Sequence, residues 1–435
     1  MTPPLIRGFR MEGYKARIAD GLLRKKLAGK GAVLVEGPKW CGKTTTAEQA
    51  AASVLYMDDP RRVRQNLMLA DADPEALLEG DTPRLIDEWQ LAPKLWDAVR
   101  FSVDHRRRFG LYILTGSAVP AQTDEIHHTG TGRFARLRMR PMSLFESGES
   151  SGDVSLRALF ESPGSAVRGR AGLSLKDAAF LICRGGWPMA LDIPKDIALQ
   201  QAFDYYDAVV YEDISRVDGV RKDNVYTRRL MRSYARNQGG QVSIDTIVSD
   251  LNENEGPDPC NKTAATYIKA LKKIFVIEDM EAWNPNLRSK TAIRTSDTRY
   301  YADSSIAAAA LGIGPDDLFN DLETMGLLFE TMAVRDLRVY ADAIDASVYH
   351  YRDKTGLECD AVIHRRNGSY GLVEIKLGGD SLVEEGCASL KKLAGKIDTD
   401  KMSKPSFLMI LTANGDMAYR RPDGILVIPI GSLRP

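Results

Sequence analysis

The stretch at residues 37–44 constrains the fold of this chain most strongly. Its residues, Gly-Pro-Lys-Trp-Cys-Gly-Lys-Thr, fill every position of the pattern G-x-x-x-x-G-K-[ST]. Residues 32–36 before it are mostly apolar and indicate a buried strand, and residues 45–52 after it are compatible with a helix. In a strand–loop–helix setting, the backbone N–H groups of such a loop and the helix N-terminus face phosphate oxygens. The stretch therefore predicts a loop that binds a nucleoside triphosphate.

Two side chains of this loop have predicted chemical roles. We expect the Lys43 ammonium to reach the β- and γ-phosphates of ATP, and the Thr44 hydroxyl to bind Mg²⁺. The alternative is a glycine-rich turn that matches by chance, but it explains neither the strand before the loop nor the helix after it. The loop residues expected to contact ATP or ADP are Gly37, Pro38, Lys39, Trp40, Cys41, Gly42, Lys43, Thr44 and Thr45.

The composition describes a globular chain without net charge. Its length of 435 residues suggests about two to four domains. A hydrophobic content of 44% with 27% charged residues is typical of folded proteins. Lys plus Arg and Asp plus Glu number 59 each, so any contact with DNA must come from a local patch.

Cysteines and apolar segments bear on the compartment. The five cysteines are scattered, odd in number and lack a C-x-x-C pair, which argues for a reducing compartment and against a zinc site. No segment approaches the roughly 18 uninterrupted apolar residues of a membrane span. Residues 1–14 lack the apolar run of a signal peptide. We therefore expect a cytoplasmic protein with no membrane partner.

A short apolar segment at residues 83–86 is followed by two carboxylates. Hydrolysis of a bound nucleotide needs a carboxylate for the metal and a group that activates water. We expect Asp87 to hold Mg²⁺ through water, and Glu88 to orient and deprotonate the attacking water. The alternative is a solvated helix start, which the preceding apolar segment disfavours.

Two more apolar segments extend the predicted sheet. Residues 53–59 indicate one strand, and residues 111–114 indicate another that ends in the short hydroxyls of Thr115 and Ser117. Hydroxyls at such a strand end can sense the γ-phosphate or the attacking water, so Ser117 joins the expected nucleotide contacts. Strands alternate with helices over residues 30–145, which predicts an α/β domain whose parallel sheet is covered on both faces.

A candidate for a charge-stabilising arginine lies in the glycine-rich loop at residues 129–133. Such an arginine is worth on the order of 10³–10⁵ in rate. We expect Arg133 to act on the nucleotide of its own domain or on that of a neighbouring subunit. Arg136, Arg138 and Arg140 follow at alternate positions, and we interpret them as the solvated face of a strand.

Three further motifs combine with the phosphate loop into a family resemblance. They are Ile-Asp-Glu-Trp-Gln at residues 86–90, Leu-Thr-Gly-Ser at 114–117 and Gly-Arg-Phe at 132–134. The set resembles prokaryotic AAA+-type P-loop ATPases that carry a C-terminal nuclease-like domain. Trp89 departs from the aliphatic residue usual in that family. The resemblance implies ATP hydrolysis with Mg²⁺ and assembly into a homo-oligomer.

Residues 146–224 are predicted to form a linker and a helical lid. Residues 146–170 are rich in Ser, Gly and Glu, which indicates a loop. A helix at 178–182 ends before the Gly-Gly-Trp-Pro turn of residues 185–188, which also resembles the family. A long helix at 198–217 carries apolar residues at helical spacing, which is typical of a stripe that faces a core.

Residues 225–318 are predicted to form a winged-helix-like domain. The pattern indicates a helix at 242–251, a turn at 252–259, a basic helix at 261–274 and a strand at 275–283. A basic helix of this kind could read a DNA groove. Because acidic residues flank it on both sides, the helix fits a protein-facing spacer at least as well. The basic residues of the helix, and of a second basic stretch after it, are Lys262, Lys269, Lys272, Lys273, Arg288, Lys290, Arg294 and Arg299.

Two segments near the C-terminus predict a hairpin that gathers charged side chains. Leu-Glu-Cys-Asp and Val-Glu-Ile-Lys flank a turn signal at residues 366–369. The apolar residues on both strands are odd-numbered, so Asp360, Glu374 and Lys376 share the opposite face. A three-residue loop at 367–369 keeps both faces consistent and sets Asp360 opposite Lys376.

Glu330, on a predicted helix, completes this set of charged residues. Glu330, Asp360, Glu374 and Lys376 resemble the PD-(D/E)xK nuclease fold, with a further helix and strand predicted downstream. The resemblance implies a Mg²⁺ ion held by Glu330, Asp360 and Glu374. Lys376 would assist hydroxide formation or steady the reacting phosphate. The alternatives are a surface strand with an ion pair, or a nuclease-like fold whose chemistry is lost.

The sequence thus predicts four domains and two main hypotheses of function. The domains are an AAA+-like ATPase domain at 1–145, a linker and lid at 146–224, a winged-helix-like domain at 225–318 and a PD-(D/E)xK-like domain at 319–435. The first hypothesis is an ATPase whose nucleotide state controls a nuclease acting on nucleic acid. The second is an ATP-driven switch or oligomeric assembly whose C-terminal domain binds without cutting. A protein unfoldase ranks last, because an aromatic pore-loop pattern is lacking.

Overall fold

The structure, a computed structural model, describes most of the chain. The residues described are 13–117, 129–217, 219–254, 261–284, 296–400 and 402–435. The helices and strands up to residue 140 are α1 (Ile18–Leu27), β1 (Ala32–Glu36), α2 (Lys43–Glu48), β2 (Ser53–Tyr56), α3 (Val63–Ala72), β3 (Arg84–Asp87), α4 (Lys94–Arg106), β4 (Tyr112–Gly116) and β5 (Phe134–Arg138).

The remaining elements follow in chain order. They are α5 (Leu144–Ser147), β6 (Val154–Ser155), α6 (Leu156–Glu161), β7 (Gly169–Arg170), α7 (Leu175–Arg184), α8 (Lys195–Ala208), α9 (Ile214–Arg216), α10 (Asn224–Arg236), α11 (Ile244–Asn254), α12 (Asn261–Lys273), α13 (Ser304–Leu311), α14 (Pro315–Asn320), α15 (Leu322–Ala343), β8 (Ala346–Arg352), β9 (Glu358–Arg365), β10 (Tyr370–Lys376), α16 (Asp380–Lys396), β11 (Phe407–Thr412), β12 (Met417–Arg420), β13 (Leu426–Pro429) and β14 (Leu433–Arg434). None of the helices that the structure describes is both long and apolar enough to cross a membrane.

The chain folds into two compact units. The first unit contains the described residues of Met1–Arg140, Glu212–Lys222 and Ala270–Phe275. The second unit contains those of Pro141–Tyr211, Asp223–Lys269 and Val276–Pro435. The finer division into four domains, proposed above from the sequence, remains a prediction.

A five-stranded sheet in the order β2-β3-β4-β1-β5 forms the centre of the first unit. Every neighbouring pair in it is parallel. Parallel strands need crossover connections, and the helices of these crossovers cover both faces of the sheet. The predicted α/β architecture with a parallel sheet is therefore confirmed.

Alternate residues of β1 enter two different hydrophobic cores. Val33 and Val35 pack with Leu23 of α1 on one face of the sheet. Ala32 and Leu34 belong to a second core. Trp89 is 3% exposed and lies in that second core, with its ring 5.2 Å from that of Trp96. The unusual tryptophan of the Asp-Glu-Trp-Gln motif is thus a core side chain.

A seven-stranded sheet in the order β7-β12-β13-β11-β10-β9-β8 forms the centre of the second unit. Strand β9 is antiparallel to both of its neighbours, β8 and β10, whereas β10, β11 and β13 run parallel. Helix α16 packs on β9, β10 and β11, where Val383 and Leu390 share a core with Val362 and Leu372. Because Val362 and Leu372 are fully buried, the even-numbered face of the hairpin is covered as well.

The predicted linker at residues 146–170 is instead part of the second unit. Strand β6 pairs with β14, and β7 pairs with β12. One serine just before this segment and one within it are helix N-caps, which satisfy free backbone N–H groups. Ser143 forms a capping box with Glu146, whose carboxylate accepts from the Ser143 N–H at 2.9 Å. Ser155 caps α6 by accepting from the N–H of Ala158 at 3.3 Å.

The predicted helix at 198–217 contains an irregular turn. Helix α8 ends at Ala208, a π-helical turn spans Val209–Asp213, and α9 follows directly. Within this turn the chain leaves the second unit after Tyr211 and enters the first unit at Glu212.

The winged-helix-like region keeps its helices but lacks its predicted strand. Helices α11 and α12 lie close to the predicted ranges 242–251 and 261–274. The strand expected at 275–283 is wrong, because Ile277, Met280 and Ala282 each form only an isolated bridge. Most of the predicted turn at 252–259 lies outside the described residues, as do Arg288, Lys290 and Arg294.

Candidate functional site

The predicted phosphate loop joins β1 to α2 with a backbone that only particular residues can adopt. Gly42 has φ 93°, in the left-handed region that favours glycine. A Cβ atom at Gly37 would lie 2.1 Å from the Met139 carbonyl oxygen, so glycine is required there too. Trp40 is left-handed as well, with φ 64°, a conformation that costs free energy in a residue other than glycine.

The side chain of Lys43 folds back onto this loop. This lysine is the first residue of α2, is only 6% exposed, and donates a hydrogen bond from Nζ to the Pro38 carbonyl at 2.8 Å. An ammonium so placed faces the same space as the loop backbone, where the phosphates of a nucleotide would bind.

The Asp87 carboxylate, at the end of β3, accepts one hydrogen bond from a helix residue and one from a residue of the neighbouring strand. Thr44 Oγ1, in α2, donates to Asp87 Oδ1 at 2.8 Å. Thr115 Oγ1, in β4, donates to the same oxygen. Burial raises the pKa of Asp87, while the bonds from Thr115 and Thr44 oppose that rise. A hydroxyl and a carboxylate oxygen that face each other next to the loop are donors of the type that Mg²⁺ prefers.

The Glu88 carboxylate lies directly after this strand, at a residue with φ 54°. Its Oε2 accepts a hydrogen bond from Gln90 Nε2, and Ser117 Oγ is 3.4 Å away. Burial raises the pKa of Glu88, which the nearby charge of Lys43 partly offsets. A carboxylate with a raised pKa is a better proton acceptor, so its surroundings suit a general base.

Two side chains near the loop were not predicted to have a role. Gln90 orients Glu88, and the Asp-Glu-x-Gln spacing alone could have indicated it. Asp213 lies in the π-helical turn and is 7% exposed. Its Oδ1 forms an ion pair with Lys39 Nζ at 2.5 Å. Because 174 residues separate Lys39 from Asp213, no local pattern points to this pair.

The prediction that Arg133 could act on its own domain's nucleotide is wrong. Arg133 precedes β5, which runs parallel to β1 with Phe134 opposite Ala32. It therefore lies at the edge of the sheet where β1 begins, whereas the phosphate loop follows the other end of β1. Its guanidinium instead pairs with Asp104, at 2.7 Å from Nε to Oδ1. A role toward a neighbouring subunit stays a prediction.

The C-terminal hairpin forms with a register that differs from the prediction. Tyr370 pairs with His364 and Val373 with Ala361, so the same register sets Glu374, not Lys376, opposite Asp360. The loop still contains three residues, but it is 366–368, because the Arg365 N–H donates to the Ser369 carbonyl at 2.9 Å. A shift of two residues keeps every side chain on its predicted face.

The three charged side chains of the hairpin converge as predicted. Lys376 Nζ lies 3.1 Å from Glu374 Oε2 and 3.9 Å from Asp360 Oδ2. The Ile375 N–H donates to Asp360 Oδ2 at 2.7 Å. Ser389 of α16 donates to Glu374 Oε1 at 3.3 Å. One ammonium thus bridges two carboxylates that backbone and hydroxyl groups hold in place.

Burial dominates the protonation behaviour of this cluster. It raises the pKa of Glu374 to about 8, and the charge of Asp360 adds to the rise. Burial also raises the pKa of Asp360, which Lys376 opposes. For Lys376, burial lowers the pKa, but the charges of Asp360 and Glu374 outweigh it and raise the pKa overall. The cluster therefore favours a charged lysine with carboxylates that retain protons readily.

Glu330 does not complete a three-carboxylate metal group. On α15 it accepts a hydrogen bond from the buried Tyr300 hydroxyl. Burial and the charge of Asp360 raise the pKa of Glu330 well above its usual value. Within the described residues, no three His, Cys, Asp or Glu side chains form a group that could hold a metal ion. The metal set expected at Glu330, Asp360 and Glu374 is thus not formed.

Comparison with family models divides the chain into three regions. Residues 29–147 match the AAA domain. Residues 175–317 match a domain of unknown function, DUF8612, and residues 325–433 match another, DUF4143. A search of the curated proteins found no match.

Several solved structures align with the chain at low similarity. A Walker-type ATPase of Pyrococcus abyssi is 14% identical over 71% of this chain and 99% of its own, with a TM-score of 0.43. RuvB of Thermotoga maritima is 16% identical over 60% of this chain and 85% of its own, with a TM-score of 0.23. The Drosophila ORC bound to DNA is 14% identical over 68% and 85%, with a TM-score of 0.20. At these scores the alignments carry no argument.

The AAA match covers the same residues as the parallel sheet, the phosphate loop and the two carboxylates described above. The motif, the fold and the family match indicate the same kind of domain. Residues 29–147 of the chain are therefore similar to the AAA domain, and this similarity supports nucleotide binding and hydrolysis.

Proposed function

We propose that the chain is a Mg²⁺-dependent ATP hydrolase whose nucleotide state controls a C-terminal nuclease-like domain that acts on nucleic acid. The observation that carries the ATPase part is the meeting of Thr44 and Asp87 beside the buried Lys43. Lys43 and Thr44 come from the phosphate loop and Asp87 from a second motif, and each has the chemistry that a bound nucleoside triphosphate requires.

Each residue of the site has a proposed role. The loop backbone and Lys43 bind the β- and γ-phosphates. Glu88 accepts the proton of the attacking water, while Gln90 and Ser117 hold its carboxylate in place. Thr115 fixes Asp87. Because Glu88 is partly buried, its raised pKa brings it closer to the value that suits a base near neutral pH.

Thr44 and Asp87 are the residues that would hold Mg²⁺. Their oxygens already lie 2.8 Å apart, and Mg²⁺ usually takes one or two protein oxygens together with waters and phosphate oxygens. When bound, the ion neutralises charge that develops on the phosphate oxygens.

Binding of nucleotide to Lys43→Ala protein tests the site directly. We expect calorimetry to show ATP binding by the wild type and none by the variant, because the ammonium that pairs with the phosphates is gone. Lys94→Ala removes a lysine whose exposed ion pair with Asp71 lies on the same unit, and it should bind ATP normally. Retained binding by Lys43→Ala would refute the assignment.

The nuclease-like part of the proposal is supported by the hairpin cluster. Helix α15, strands β8 to β10, helix α16 and strand β11 follow one another in the order of a PD-(D/E)xK core, which the sequence resembles. Asp360, Glu374 and Lys376 meet at one point within that arrangement. Asp360 and Glu374 are the pair that would hold Mg²⁺, since two carboxylates are enough for this ion.

The second candidate function is an ATP-driven switch whose C-terminal domain binds without cutting. The observation that favours it is the bridging of both carboxylates by Lys376, together with the engagement of Glu330 by Tyr300. Contact with DNA by α12 remains part of the first proposal. Its Lys262 and Lys269 are exposed on one helix face, a placement that suits phosphate contacts. Incubation with DNA, described in the Discussion, separates the two functions.

A further inference from the structure

A basic cavity lies in the first unit at the edge of the sheet opposite the phosphate loop. It has a volume of about 560 Å³ and is lined by Arg107, Arg108, Phe109 and Arg133, among others. Gly31, which precedes β1, and Gly132, which precedes β5, place it at the edge where these strands begin. The cavity is therefore separate from the site that binds nucleotide.

Two of the arginines that line the cavity are not neutralised by any described residue. Asp104 is the one carboxylate among the described residues that line it, and Arg133 and Arg100 already pair with Asp104, at 2.7 and 3.2 Å. Arg107 and Arg108 are both exposed. In the described part of the chain, no hydrogen bond or ion pair engages either guanidinium group. Two arginines thus remain available for an anionic ligand.

Helix stability does not account for these arginines. A cation near a helix C-terminus interacts favourably with the helix dipole, but Arg106 already supplies one in the last turn of α4. Arg107 lies just beyond the helix with φ 48°, where glycine is the favoured residue. An arginine at this position costs free energy in the folded chain, so its side chain needs another explanation.

Phe109 gives the cavity an apolar face next to its charges. Its side chain is 67% exposed. An exposed ring beside unpaired arginines is the arrangement that binds single-stranded nucleic acid, in which phosphates meet the cations and an unpaired base stacks on the ring. In a duplex the bases already stack on one another. A membrane surface fits less well, because the arginines line a cavity and not a convex face.

We propose that this cavity binds single-stranded nucleic acid, with Arg107 and Arg108 on the phosphates and Phe109 stacked on a base. The inference shares the substrate class of the proposed function but depends on neither hydrolysis nor cleavage. It assigns to the ATPase domain a contact that the sequence predicted only for the basic helix α12.

The test is the salt dependence of oligonucleotide binding by the full chain. Fluorescence anisotropy with a labelled oligo-dT, in EDTA so that cleavage cannot interfere, is measured over a range of KCl concentrations. Each phosphate that a protein cation neutralises on a single strand contributes about 0.7 to the slope of log affinity against log salt. We expect Arg107→Ala/Arg108→Ala to reduce the slope by about 1.4. Arg107→Lys/Arg108→Lys protein should keep the slope, because it keeps both charges.

Phe109→Ala tests the stacking contact separately. Loss of one stacked base should weaken binding at least about fivefold while the salt slope stays the same. Arg61→Ala/Arg62→Ala is the matched control, because it removes two adjacent exposed arginines from the same unit. Circular dichroism of each variant at the temperature of the binding assay shows whether a loss of binding comes from a loss of fold.

Several outcomes would overturn the proposal. These are no binding by the wild type, an unchanged slope in the Arg107→Ala/Arg108→Ala protein, or an equal loss in the Arg61→Ala/Arg62→Ala control. Loss of ATP turnover with unchanged oligonucleotide affinity would assign the arginines to a neighbouring subunit's nucleotide. Loss of binding to anionic vesicles alone would assign them to a membrane. Wild-type binding without ATP hydrolysis would contradict the proposed function and leave this inference standing.

Discussion

Thr44 donates a hydrogen bond to Oδ1 of Asp87 over 2.8 Å, although 43 residues separate them in the chain. The two side chains meet because β1 and β3 both flank β4 in one parallel sheet, so that the residues following β1 and those ending β3 lie at the same edge. The hydroxyl and the carboxylate that we propose to hold Mg²⁺ are thus brought together by sheet topology, not by sequence proximity.

Glu88→Gln should retain ATP without hydrolysing it. The amide oxygen of glutamine can still accept from Gln90 and Ser117, but it cannot take a proton from water. We expect turnover to fall by about 10²–10⁴-fold while ATP affinity stays near that of the wild type. Phosphate release and nucleotide retention on a filter measure the two quantities. Glu79→Gln, at an exposed position of the same unit, should behave as wild type. Normal turnover in Glu88→Gln protein would exclude Glu88 as the general base.

Arg133→Ala protein should regain activity when mixed with Lys43→Ala protein if Arg133 serves a neighbouring subunit. Arg133 cannot reach its own phosphate loop, so each variant would supply the part that the other lacks. The measurement is ATP turnover of mixtures at varied ratios and fixed total concentration. Arg64→Ala, an exposed arginine in α3, should be fully active alone and should not change the mixture. A mixture no more active than the sum of its parts would exclude a role in trans.

Asp360→Asn and Lys376→Ala should both abolish cleavage if the hairpin cluster is a nuclease site. Each change removes one of the three groups that converge there, and we expect losses of about 10²-fold or more. Supercoiled, linear and single-stranded DNA would be incubated with Mg²⁺ or Mn²⁺, with and without ATP. Lys396→Ala removes an exposed lysine paired with Asp353 on the same unit and should cut as wild type.

The cleavage experiment also separates the two candidate functions. Cleavage by wild type that both variants lose, and that ATP alters, would support the coupled nuclease. If wild type hydrolyses ATP yet cuts none of the three DNA forms with either ion, the C-terminal domain is a binding module. Equal cutting by wild type and both variants would point to a contaminating nuclease and reject the cluster.

His350 should make the fold sensitive to mild acid. It is 2% exposed, and burial lowers its pKa from 6.5 to about 4. The unfolded chain therefore binds a proton that the folded chain does not, and stability falls as the pH drops from about 6.5 toward 4. Since each pKa unit corresponds to about 1.4 kcal/mol, the full loss would be roughly 3 kcal/mol.

The measurement for His350 is urea unfolding at several pH values. His350→Gln keeps a group that can bond with Gln241, whose Nε2 is 2.9 Å from Nδ1. We expect a smaller loss of stability between pH 6.5 and 4 in this variant than in wild type. His105→Gln, at an exposed position, should leave the loss unchanged. Identical acid sensitivity of His350→Gln and wild type would contradict the assignment.

Local patterns were sufficient to predict the parallel sheet and the placement of the phosphate loop and the two carboxylates at one edge of it. The phosphate loop, the apolar strands and the Asp87–Glu88 pair each specify their own conformation, and a parallel sheet then aligns them. The hairpin faces were also predictable, because side chains alternate along a strand with a period of two. Its register was not, because a loop at 366–368 and one at 367–369 satisfy the same alternation.

Features that depend on tertiary contacts were not predictable. The segment at 146–170 is ordered by the pairing of β6 with β14 and of β7 with β12, and these partner strands lie far away in the sequence. Lys39 meets Asp213 only because the π-helical turn returns to the first unit. Likewise, the sequence placed Glu330 on a helix, but it did not indicate that Glu330 accepts a hydrogen bond from Tyr300.

The measurement that tests the central claim most directly is steady-state phosphate release from ATP by the purified chain. It would be made with Mg²⁺ and with EDTA, beside Lys43→Ala protein. The account predicts turnover that requires Mg²⁺ and is absent from the variant. Turnover in EDTA, or equal rates for wild type and Lys43→Ala, would contradict it.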